Sequence, residues 1–199
     1  MRYMSTQNSD QRIDEKLASM FADEIASQFT MAVTAYHSLE TSIHKPGVST
    51  NVSWYHLESL IKSFIAITNI LWSQNNRNPH RRRAALLRKR FGVTDMSIPK
   101  DLRDTRNSLE HFDERLDIWW QEDPLHNIAD RCIGRKVEIT NIPGMNFARH
   151  FDPSTGDFSV FGDTVNLHDT LLFMNQIALA VERSGFSLPT NFPRIIAKG

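Results

Sequence analysis

The chain has 199 residues, enough for one domain with a sizeable core or one domain plus a small appendage, and too few for two full domains. Hydrophobic residues are 40% and charged residues 23%, and no apolar run approaches the roughly 20 residues of a membrane-spanning helix, so the composition excludes that class and fits a globular one. Formal charge is zero but unevenly spread: seven cations and no acid lie between Asn75 and Gly92, so the rest carries 16 cations against 23 acids, or −7.

The opening "MRYMSTQNSD" is polar and lacks the apolar region of a secretory signal. The single cysteine, Cys132, excludes an internal disulfide and reads as a small hydrophobe rather than a nucleophile. Together these features predict a cytoplasmic protein.

From about Asp10 to His44, apolar residues recur in steps of three and four (Ile13, Leu17, Met20, Phe21, Ile25, Phe29), the pattern of a long amphipathic helix. "HKPG" ends it, because Pro46 cannot continue a helix and Gly47 tolerates left-handed backbone. Ser53 is a candidate cap for a second helix, whose Leu57, Leu60, Ile61, Phe64, Ile65 and Ile67 make it apolar around most of its circumference and therefore central. "NRNP" offers Asn78 as cap and Pro79 at a first helical position for a third helix ending at Gly92. A fourth starts at "SIPKDL" and runs to about Trp120. Four helices with short connections predict an antiparallel bundle.

After "QEDPLHN" the pattern changes. "RKVEITNI" alternates Val137, Ile139 and Ile142 with polar residues, as a half-buried strand does. "NFARHFDPSTGDFSVFG" reads as a hairpin, with Asp152, Pro153 and Gly156 turning the chain between Phe147–Phe151 and Phe158–Phe161. A last helix covers about Leu167 to Arg183, before a tail with two prolines and no clear period. The expectation is a mainly α fold: a bundle over residues 10–120, with a small C-terminal α+β extension over 134–185 packed upon it.

Drawn as one helical wheel, the fourth helix gathers Leu102, Leu109, Phe112, Leu116, Trp119 and Trp120 into a sector of roughly 100°. Asn107 and His111, four apart, share a stripe on the opposite side with Ile118, and Arg106 projects from the flank with Glu110 as a natural ion-pair partner. If two such stripes meet across a two-fold axis, each residue type is doubled in one cleft. Arg supplies a permanently charged fork for phosphate oxygens and His moves a proton near neutral pH. That set suffices for RNA cleavage without metal: His removes the 2′-hydroxyl proton, the oxygen attacks phosphorus, and Arg stabilises the growing charge.

"RNSLEH", with Arg106, Asn107 and four residues between Arg106 and His111, resembles the signature of the HEPN superfamily of helical-bundle proteins, which lies on a late helix of the bundle. The resemblance covers about residues 10–120; the hairpin and last helix lie outside the family's minimal bundle. It implies a homodimer through the fourth helix, metal-independent ribonuclease activity with Arg106, Asn107 and His111 in the site, and a toxin or anti-phage role with a neutralising protein partner. The alternative is a non-catalytic module of the same fold that binds RNA, a nucleotide or a partner protein.

In "HRRRAALLRKRFG" the cation triplet repeats at a spacing of seven, Arg81, Arg82, Arg83 and Arg88, Lys89, Arg90, two turns apart, while Ala84, Leu87 and Phe91 form the core stripe. The cations make this helix the candidate nucleic-acid-binding surface, or else a solvated charged face. Arg149 and His150 on the hairpin are a minor second candidate for substrate contact. The eight histidines are scattered, no CxxC occurs, and "TGDFSVFGD" lacks the Lys and Ser/Thr of a P-loop, so neither metal nor cofactor is expected.

Overall fold

The computed structural model describes residues 13–73, 78–139, 142 and 144–188. Helix α1 (Glu15–His44) is capped by Asp14, whose carboxylate accepts from the Leu17 N–H at 3.0 Å. Its buried residues, Ala18, Ala22, Ile25, Phe29, Ala32, Ala35 and Leu39, keep the three-and-four stagger, whereas Leu17 and Met20 face solvent. Residues 10–12 of the expected helix lie outside the described residues.

Helix α2 (Thr50–Leu71) starts one turn earlier than expected, capped by Ser49 rather than Ser53. The Ser49 hydroxyl accepts from the Asn51 N–H at 3.3 Å, while Ser53 is buried inside the helix. The helix buries Trp54, Leu57, Leu60, Ile61, Phe64, Ile67 and Leu71, and it packs along α1 in the most extensive helix pairing of the fold. Helix α3 (Asn78–Phe91) buries Ala84, Leu87 and Phe91 against α2 and the last helix, and stops at Gly92, whose φ of +69° suits glycine. The side chain of the expected cap Asn78, and Arg77 before it, lie outside what is described.

The expected fourth helix is two. Helix α4 (Lys100–Glu110) and helix α5 (Phe112–Glu122) meet at His111, whose φ of −114° and ψ of +40° are not helical. The turn hydrogen bonds survive, His111 N–H to Asn107 O and Arg115 N–H to His111 O, both 3.0 Å, so the chain changes direction without orphaning its backbone. The rotation seats Phe112 against Phe161, ring centres 5.2 Å apart, beneath the Arg149 guanidinium. It also corrects the wheel. Of the predicted buried sector only Leu102 is buried; Leu116 and Trp120 are exposed, and α4 instead buries Thr105, Arg106 and Ser108 beside Leu102. Small residues at 105 and 108 let α4 close upon sheet strands rather than upon another helix of a bundle.

Two short strands follow, β1 (Ile128–Ala129) and β2 (Cys132–Ile133). The strand expected over 135–142 is replaced by one turn of helix, α6 (Lys136–Ile139), in which Glu138 and Ile139 N–H groups donate to Arg135 O at 2.9 and 3.2 Å. Arg135 and Glu138, three apart, pair across this turn, and Val137 is exposed. Strand β3 (Asn146–Phe147) pairs parallel with β1. The hairpin forms as expected from β4 (Arg149–Asp152) and β5 (Asp157–Val160), with Phe151 opposite Phe158. Strand β6 (Asp163–Asn166) adds antiparallel to β5, and β2 adds parallel to β4, giving the order β2-β4-β5-β6. Helix α7 (Leu167–Arg183) has the expected bounds, its N-cap Asn166 accepting from two backbone N–H groups.

The fold is thus mainly helical with a small C-terminal sheet. One cluster of buried apolar residues runs from Ile13 through α2 and the sheet residues Phe151, Phe158 and Val165 to α7 and Leu188. Trp54 of α2 marks the junction: its ring lies 6.0 Å from Phe158, and its indole N–H donates to Arg131 O. No described helix is long and apolar enough to cross a membrane.

Candidate functional site

Arg106 is 2% exposed, not flanking. One Nη donates to Asn69 Oδ1 at 3.1 Å and to Thr68 Oγ1 at 3.4 Å, and the Asn69 amide donates onward to Glu110 at 3.5 Å. The expected Arg106–Glu110 relation therefore runs through an asparagine of α2. Burial lowers the Arg106 pKa, the Glu110 carboxylate opposes that shift and Arg103 adds to it; a guanidinium nonetheless remains charged.

Arg106 and Asn107 line a cleft of about 860 Å³ together with Arg81 of α3, Arg103 and Asp104 of α4, Arg115 of α5 and Asp163 of β6. Trp72, Ser73, Ser97 and Ile98 also line it. Among the described residues, four arginines and two aspartates line it, and the ion pairs between them are loose: Arg115 to Asp163 at 3.6 Å and Arg103 to Asp104 at 3.7 Å. Asp163 also accepts from the buried Ser108 hydroxyl, which ties the cleft floor to the sheet. An excess of planar, fork-shaped donors in a polar concavity suits an anion with several oxygens, such as a phosphodiester.

His111 does not line this cleft. It stands exposed at the α4/α5 break, and its Nδ1 lies 3.2 Å from Glu114 Oε1. When Nδ1 carries the proton and donates to Glu114, Nε2 presents its lone pair outward, the tautomer a general base needs. Exposed Glu110, Asp113 and Glu114 surround the imidazole in sequence.

The basic helix divides its cations. Arg88 donates to Leu71 O at 2.6 Å, at the C-terminus of α2, beside Trp72. Arg90 binds Glu15 at 3.2 Å and Ser184 O at 3.0 Å and lies over Phe186. Arg83 lies over Phe21, its guanidinium 4.8 Å from the ring centre. These three knit α3 into the molecule. Arg81, Arg82 and Lys89 are exposed, and of the six only Arg81 reaches the cleft.

The hairpin pair is engaged in contacts within the fold. Arg149 is clamped by Asp130 and by Glu58 of α2, at 2.8 and 3.2 Å, and the Asp130 contact raises its pKa. His150 is buried with Nε2 2.7 Å from Gly134 O, and burial lowers its pKa. Cys132 is half-buried; burial and then Asp130 push its thiol pKa up, away from a reactive thiolate. Among the described residues, no three or more His, Cys, Asp or Glu side chains form a metal-binding group.

Arg103, Arg115 and Asp163 were not singled out from sequence. Arg103 carries a readable signal, since it shares an i, i+4 stripe with Asn107. Arg115, four residues past His111, continues that stripe, while Asp163 arrives from a strand more than 50 residues away.

Compared with known proteins, the chain matches no family model, and no curated protein or solved structure is significantly similar to it.

Proposed function

We propose that the chain is a HEPN-like protein that acts on RNA, gripping the phosphate backbone in the arginine cleft and cleaving it without metal at a site completed by a second copy. The observation that carries this reading is the meeting of Arg106 and Asn107 with Arg81, Arg103 and Arg115 in one concavity. Two chains joined through the α4 stripe bring the second His111 toward the first cleft. One imidazole then takes the 2′-hydroxyl proton, the freed oxygen attacks phosphorus, and the bond to the 5′-oxygen breaks as that oxygen gains a proton from the other imidazole or water. Cleft guanidiniums balance the charge developing on the phosphorane. Asn107 orients the substrate.

RNA is incubated with the wild type and with His111→Ala in the presence of chelator. The expected result is wild-type products ending in 2′,3′-cyclic phosphate and a loss of at least about 100-fold in the variant. Equal rates for both proteins refute the proposal.

A second reading, an RNA-binding module without catalysis, draws on the burial of Arg106 in contacts with α2 and on the carboxylates around His111. It predicts RNA affinity that Arg103→Ala and Arg115→Ala weaken, with no cleavage by either protein.

A further inference from the structure

Helix α5 holds Phe112, Leu116, Ile118, Trp119 and Trp120 and yet buries none of its residues. Only Phe112, Arg115 and Trp119 rest against the molecule, within about 60° of the helix circumference. Leu116 and Trp120, four apart, form an outer apolar stripe, and Trp120 is 58% exposed. The Trp120 indole is held from two sides and still exposed: His126, at a φ of +50°, stacks on it at 3.9 Å and 13°, and Trp119 meets it edge-on at 6.1 Å. Leu125, next in sequence to the stacked His126, is 61% exposed. Beside this stripe runs a second one, Asp113 and Asp117, also four apart, and neither carboxylate has an ion-pair partner among the described residues.

We propose that this face of α5 docks a cationic amphipathic helix of a partner protein, whose apolar side covers Leu116, Trp120 and Leu125 while its cations meet Asp113 and Asp117. Charge selects this occupant. A second copy meeting the face across a two-fold axis sets the Asp113/Asp117 stripes side by side when the helices run antiparallel, and when they run parallel it offers those stripes no cation, because the single cation of α5, Arg115, lines the cleft. The chain's own basic helix offers cations, but Ala84, Leu87 and Phe91 are already buried in its core, so it has no apolar stripe left to give. An indole plate also suits a nucleobase, but the adjacent carboxylates repel the phosphates that come with one. A helix with apolar residues on one side and lysines or arginines along the edge satisfies both stripes at once. A buried aromatic anchor with a charged rim is also the anatomy of a binding hot spot. This inference is independent of the RNA reading.

The test titrates the full chain with an 18-residue Leu/Lys peptide patterned as an amphipathic helix, with a Leu/Glu peptide of the same pattern, and with a scrambled Leu/Lys peptide. Intrinsic tryptophan fluorescence is the readout for the wild type, and anisotropy of the same peptides carrying a fluorescent label gives the affinities of wild type and variants. The expected result is a blue shift with the patterned cationic peptide only, weakened at least 10-fold in Trp120→Ala and in the Asp113→Lys/Asp117→Lys double variant, both checked for unchanged helical circular dichroism. Four results overturn it: no binding by the wild type; equal affinity for the scrambled peptide or in Trp120→Ala; a shift with protein concentration alone, which assigns the face to self-association; or the same Trp120-dependent shift with a short oligoribonucleotide, which assigns it to bases.

Discussion

Arg106 is a charge drawn into the protein, and its hydrogen bonds to Thr68 and Asn69 keep it from being an orphan. Arg106→Ala should therefore lower unfolding stability by about 2 kcal/mol, measured by urea denaturation, before any effect on RNA is considered. Arg106→Lys should recover less than half of that, since a point charge does not reproduce a fork reaching two acceptors. His150 gives a pH signature. Burial holds its folded pKa below the ordinary 6.5, so as pH falls the unfolded chain takes the proton first. Its contribution is complete above about pH 6.5 and drains away as pH drops through the folded value. The urea midpoint should fall between pH 7 and pH 5, and His150→Gln, which keeps a donor for Gly134 O, should flatten that fall.

At the scale of elements, four of the longer ones were readable because their signals are local. "HKPG" ends α1, Gly92 ends α3, Pro99 precedes α4, and α7 keeps the predicted bounds. The misses come from forces that periodicity does not carry. Val137 and Ile139 alternate over too few residues to outweigh one helical turn and the Arg135–Glu138 pair. The large apolar residues of 112–120 pulled the wheel toward a false core, because the break at His111 puts α4 and α5 in different phases. So the cleft was legible only in part: Arg103, Asn107 and Arg115 share one i, i+4 stripe, whereas Asp163 joins them only through the long-range seating of β6. The division of labour within α3 is likewise invisible in a run of like charges. Arg81→Ala should reduce the slope of log affinity for single-stranded RNA against log salt by about 0.7. Arg88→Ala, which frees Leu71 O, should instead cost about 1.5 kcal/mol of stability with the salt slope intact.

Across the whole molecule, helices and sheet share buried side chains instead of meeting at a polar seam. Phe158 of the sheet and Trp54 of α2 are both fully buried in one cluster. Phe158→Ala should destabilise the protein by about 4 kcal/mol, with far-UV circular dichroism and tryptophan fluorescence still lost in one coincident transition. Separate transitions would show that sheet and helices unfold independently. Helix α5 touches that shared core through Phe112 but buries none of its residues in it, and an 11-residue helix has little stability of its own. Its backbone amides should therefore exchange with deuterium through local opening, well before those of α2. Any ligand seated on Trp120 would have to pull that opening equilibrium closed, so slowed exchange confined to 112–122 would report occupancy even where affinity is modest.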